Sequence, residues 1–184
     1  MSAAETLDRA ADAHRRAVGE CTATIRAVAS AQWTAARAEG QWTAAQIAEH
    51  LRLAYDPLLS EVGGGSGMVV RLPWWKRRLV RWKFLPLILR GGFPKGAPAP
   101  REIRPTSHSA TPEEAAHRLT RSAEEFLGRL AEAADRRTVR LTHPYFGKLS
   151  ALETLTLLTS HARHHRAQFP EAEAIHNRPS PSKG

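Results

Sequence analysis

Four stretches of this chain repeat apolar residues at alternating spacings of three and four, the pattern of helices with one buried face. The first carries Leu7, Ala11, His14, Val18, Cys21, Ile25 and Val28. The second follows Thr43, with Gln46 three positions on as in a capping box, and carries Ile47, Leu51, Ala54 and Leu58 before the Gly63-Gly64-Gly65 run. The third opens on Thr111-Pro112-Glu113-Glu114, an N-cap, a first-turn proline and an acidic first turn together. Its stripe is Ala115, Leu119, Phe126 and Leu130. The fourth opens at Ser150, with Glu153 as capping-box partner, and runs through Leu155 and Leu158 to His161 and His165. The expected fold class is all-α, an antiparallel four-helix bundle. Thr138-Val139-Arg140-Leu141 is the one strand-like piece, and it is short.

Between the second and third helices, residues 61–110 form an irregular insert and connector. Pro73, Pro86, Pro94, Pro98 and Pro100 forbid a long helix across it, so one or two short helices are expected within 72–90. The segment from Trp74 to Lys83 mixes tryptophans with Lys76, Arg77, Arg78 and Arg81. It has two readings: an amphipathic helix lying on a membrane surface, or a cap over the bundle end with its tryptophans packed over a pocket. The second is preferred. Residues 1–170 read as one bundle domain and 171–184 as a flexible, Pro/Ser/Lys-rich tail.

Composition narrows the function classes. Of 184 residues, 42% are apolar and 24% charged, as in a globular protein rather than a disordered chain. The net charge of +9 is spread over Arg-rich helix faces, so no nucleic-acid partner is expected. No apolar run approaches the roughly 18 residues of a membrane span, so no transmembrane segment is expected. The polar, acidic N-terminus does not resemble a signal peptide, and the lone Cys21 falls on an apolar stripe. These features point to a cytoplasmic protein.

The chemistry rests on histidines. His161 and His165 stand four apart, one turn above the other on one helix face, a spacing that lets both reach one metal ion. They continue the inward line of Leu158, and His50 lies on the inner side of the second helix between Ile47 and Ala54. Buried imidazoles need partners, since an unpaired buried polar group costs on the order of 1–3 kcal/mol. One shared ion would satisfy all three; three separately hydrogen-bonded core histidines are the alternative. His164 is rotated about 100° from His165 and is expected to be exposed. His143, before a proline, reads as a structural hydrogen-bonder. Glu49 and Glu153 are possible bases or supports for the ligands, but read better as surface or capping carboxylates. No Ser/His/Asp arrangement or phosphate loop is present.

Two segments resemble the DinB-like (YfiT-related) four-helix metalloenzyme family. Trp42-Thr43-Ala44-Ala45-Gln46-Ile47-Ala48-Glu49-His50-Leu51 is similar to the family's Trp-Ser/Thr…Ile-x-x-His-Leu segment. His161-Ala162-Arg163-His164-His165-Arg166-Ala167-Gln168 is similar to its His-x-x-His-His-Arg-x-Gln, and His143-Pro144-Tyr145-Phe146-Gly147 precedes it as in the family. The resemblance covers roughly residues 5–170. It implies a bundle holding a divalent metal through His50, His161 and His165; imidazole ligands suit both zinc and nickel. It also implies chemistry on a small-molecule substrate, such as transfer or isomerisation dependent on a low-molecular-weight thiol; hydrolysis suits the same site. A homodimer is a candidate assembly. The competing reading is a non-enzymatic helical module whose basic, Trp-rich segment docks a membrane or a partner.

Overall fold

The computed structural model describes residues 3–36, 38–93 and 99–170. In chain order the helices are α1 (Ala3–Arg26), α2 (Ser30–Trp33), α3 (Ala44–Leu53), α4 (Asp56–Val62), α5 (Trp74–Leu89), α6 (Pro112–Glu132) and α7 (Ala151–Arg166). A 3-10 turn spans Arg101–Ile103, and strands β1 (Arg140–His143) and β2 (Gly147–Ser150) pair antiparallel between α6 and α7. Among the described residues the fold is all-α apart from this one hairpin. The expected C-terminal tail, with Pro94 and Pro98 of the connector, lies outside the described residues.

The helix starts follow from local chemistry. Thr43 and Ser150 form complete capping boxes with Gln46 and Glu153, and the Thr111 hydroxyl accepts from the Glu114 N–H. Each cap satisfies first-turn N–H groups that have no partner within the helix. The apolar stripes then meet in one core, where α1 packs on α6 and α7, and α3 packs on the same two helices. Ile25, Phe126 and Leu155 are wholly buried there. Truncating Phe126 to alanine would cost about 3–5 kcal/mol through lost burial and the cavity left behind. Cys21 belongs to this core, and burial pushes its thiol up to about 12, which makes it an apolar filler.

Three sequence expectations need correction. The second helix is not continuous: α3 ends at Leu53 and α4 starts at Asp56, because Pro57 at the start of α4 has no N–H for the carbonyl one turn back. The strand-like piece shifts to Arg140–His143 and finds a partner in β2, with Arg140 opposite Ser150 and His143 opposite Gly147. Gly147 has a φ of 73°, a conformation that favours glycine, and any Cβ there would press on Arg77 Cδ at 3.0 Å.

The third correction concerns the insert: one helix forms within 72–90 as expected, but α5 runs for 16 residues and through Pro86 instead of staying short. Pro73 occupies its N-cap, where a missing N–H is harmless, and only one turn follows Pro86 before Gly91 ends the helix at φ 92°. Burial of Leu85 and Ile88 against Phe146, Leu149 and Leu157 offsets the bond lost at Pro86. The tryptophans do not cover a pocket: Trp74, Trp75 and Trp82 are 66%, 54% and 77% exposed. Among the described residues, no helix is long and apolar enough to cross a membrane.

Candidate metal centre

His50 sits in the last turn of α3, and His161 and His165 in the last two turns of α7. One ligand atom from each lies within 4.8 Å of the other two. The Nε2 atoms of His50 and His161 are 3.0 Å apart, and the three ring centroids are 4.6–4.9 Å from one another at steep interplanar angles. Zinc–imidazole bonds of about 2.05 Å in tetrahedral or octahedral geometry place ligand nitrogens about 2.9–3.4 Å apart. The His50–His161 pair already has that spacing, and the third nitrogen lies near enough for the set to close on one ion.

The other ring nitrogens explain how the imidazoles are aimed. His50 Nδ1–H donates to the Ile103 carbonyl at 2.8 Å, and His165 Nδ1–H donates to Gln168 Oε1 at 2.9 Å. An acceptor at Nδ1 puts the proton there and leaves the Nε2 lone pair directed at the other rings, the arrangement expected of imidazole ligands. Trp42 packs beside His50 with centroids 4.8 Å apart. Burial holds His50 below its ordinary pKa despite the carbonyl, and holds His161 well below, helped by its imidazole neighbours. His165 is pushed down to about 3 by burial and by His50. All three are neutral near pH 7, the form that binds metal.

The site lies on the wall of a cavity of about 1180 Å³. Apolar residues from every side form most of that wall, among them Ile47, Leu72, Phe84, Ile88 and Phe146. No Asp, Glu, Lys or Arg is among its described lining residues, where the titratable groups are five histidines and Tyr145. The wall is thus largely apolar and uncharged, with the imidazole cluster as its polar end.

The remaining candidates fall elsewhere or change role. His164 is half-buried rather than exposed: it lines the cavity, stacks on Phe93 at 4.9 Å, and its Nε2 accepts from the Gln168 amide at 3.0 Å. Gln168 thus ties His164 to His165. His143 accepts the Tyr145 N–H through Nδ1 at 3.3 Å, as a structural role requires, but it also lines the cavity and burial lowers it to about 4. Glu49 is not a surface carboxylate; it is 5% exposed, pairs with Arg52 at 2.9 Å and Arg118 at 3.7 Å, and does not line the cavity. Glu153 caps α7 and binds Arg81 at 2.6 Å. Sequence reasoning missed the Ile103 carbonyl, because a backbone acceptor leaves no mark in side-chain pattern.

Fold and geometry define a helical-bundle protein whose three imidazoles can hold a metal ion at one end of an apolar cavity. The chain belongs to the DinB superfamily, whose family model matches residues 7–169. Comparison with curated proteins and with solved structures finds no match.

Proposed function

We propose that this protein is a metal-dependent enzyme acting on a small, largely apolar molecule, with His50, His161 and His165 as ligands of zinc or nickel. The observation that carries the reading is the convergence of one ring nitrogen each from His50, His161 and His165 at the wall of an apolar cavity. A divalent ion held by neutral imidazoles keeps its full charge, lowering the pKa of a water or thiol beside it and polarising an electrophile. Thiol transfer and hydrolysis both suit that environment, and a low-molecular-weight thiol is the favoured co-substrate.

The chain's own residues supply positioning and desolvation. Ile103 and Gln168 orient His50 and His165. The uncharged wall excludes water and strengthens every polar contact inside. His143, its Nδ1 occupied by the Tyr145 N–H, carries its proton at Nε2 and serves as a hydrogen-bond donor to a bound substrate. No carboxylate base lines the described part of the cavity, which leaves His143, His164 and Tyr145 as the titratable groups beside the three metal ligands.

The test is metal content followed by turnover. Purified protein should hold about one zinc or nickel per chain, consistent with a single three-ligand site. It should consume a small thiol in the presence of an electrophilic acceptor, or hydrolyse an apolar ester, only with metal loaded. Equal, low metal content in the wild type and in His161→Ala would defeat the reading. Stoichiometric metal without turnover on either substrate type would favour the non-enzymatic module.

A further inference from the structure

Seven of the eight large hydrophobic side chains exposed among the described residues fall between positions 69 and 87. They centre on α5, which has two apolar faces. Val80, Phe84 and Ile88 face the cavity, and Leu85 is buried beside them. On the opposite side Trp75, Leu79, Trp82 and Pro86 follow at intervals of four, three and four, which sets them in one line along the solvent face. Three are large: Trp75 is 54% exposed, Leu79 59% and Trp82 77%. A soluble surface rarely leaves so much apolar area contiguous without a use for it.

The charges beside that line identify the occupant. Residues 69–90 contain seven Lys or Arg and no acid. Arg71 and Arg81 are engaged by Glu102 and Glu153. Lys76, Arg78 and Lys83 flank the apolar line and form no ion pair with any described residue. Tryptophans along the middle with cations on both flanks match the boundary between acyl chains and anionic headgroups, where indole rings settle and cations meet phosphate. A folded protein partner would need a groove of complementary shape and charge, whereas a bilayer moulds itself to a convex helix.

We infer that the outer face of α5 is an interfacial anchor, which lies on an anionic phospholipid bilayer with Trp75, Leu79 and Trp82 in the headgroup region. The helix rests on the surface rather than crossing it, since no described helix can span. Its inner face roofs the apolar cavity, so the anchor sets that cavity next to the phase in which apolar molecules concentrate. The anchor is independent of the metal reading, and either can fail alone.

The experiment uses the full chain with vesicles of phosphatidylcholine, with and without phosphatidylglycerol, followed by co-sedimentation and tryptophan emission. Binding to the anionic vesicles is expected, with a blue-shifted emission and quenching by lipids brominated near the headgroup. Trp75→Ser, Leu79→Ser and Trp82→Ser together should weaken binding at least about tenfold. Lys76→Gln and Lys83→Gln should each weaken it about fivefold, and added salt should do the same. These side chains are exposed, so helicity and melting should stay unchanged. His161→Ala should bind as the wild type does. A chain that stays in the supernatant with anionic vesicles overturns the inference. So does one whose binding ignores the tryptophan substitutions, or one that buries Trp82 in a lipid-free dimer or complex.

Discussion

His50 Nε2 and His161 Nε2 lie 3.0 Å apart although 111 positions separate them in the chain. Two neutral imidazoles can share one proton at that distance, but His165 brings a third nitrogen to the same cluster, and one N–H cannot fully satisfy the two lone pairs left. A cation can. Replacing His50, His161 or His165 with alanine should therefore weaken zinc binding more than about a hundredfold, beyond the loss usual for outer partners of a ligand. Titration against a competing chelator measures this. His164→Ala, which removes no member of the cluster, should change affinity little. Stripping the metal should lower the melting temperature of the wild type, by about 2.7 kcal/mol of stability where free metal had stood at one hundred times its dissociation constant.

Gln168 gives a finer test. Its amide oxygen fixes the tautomer of His165 and its NH2 holds His164. Gln168→Ala should reduce metal affinity about 10–100-fold while leaving urea-induced unfolding of the metal-free protein nearly unchanged. An affinity equal to that of the wild type would show that His165 needs no orienting partner.

His14 predicts a pH effect away from the site. It is wholly buried on α1, with Nε2 2.9 Å from the Tyr55 hydroxyl, and burial, with Arg15 alongside, lowers its pKa from 6.5 to about 4. The unfolded chain takes up this proton first, so the folded state loses stability as pH falls through 6.5 and the loss levels off near 4. The share of His14 is about 3 kcal/mol across that window. Urea titrations should therefore show a shallower acid loss in His14→Gln than in the wild type. Parallel curves would refute the assignment.

Glu49 separates structure from chemistry. Its buried carboxylate joins Arg52 of α3 to Arg118 of α6 and stays off the cavity wall. Glu49→Ala should destabilise the fold by about 1–3 kcal/mol, the usual loss when a buried hydrogen-bonded group is deprived of its partner. Metal affinity should be unchanged. A loss of metal at unchanged stability would return Glu49 to the candidate site.

What sequence alone determined here is what depends on neighbours within a turn or two. Thr43, Thr111 and Ser150 cap their helices through partners three residues away, so their helix starts were legible. The inward phase of His50, His161 and His165 followed from the same periodicity that marks Ile47 and Leu158. Tertiary structure decided what periodicity leaves open. β1 becomes a strand only because β2 pairs with it. The Ile103 carbonyl, 53 positions from His50, selects which imidazole nitrogen faces the site. Glu49 is buried because Arg118 arrives from another helix. On α5 apolar residues run down both sides, so pattern gives no single phase. Packing of Leu85 and Ile88 against Leu157 on α7 turns the tryptophans outward.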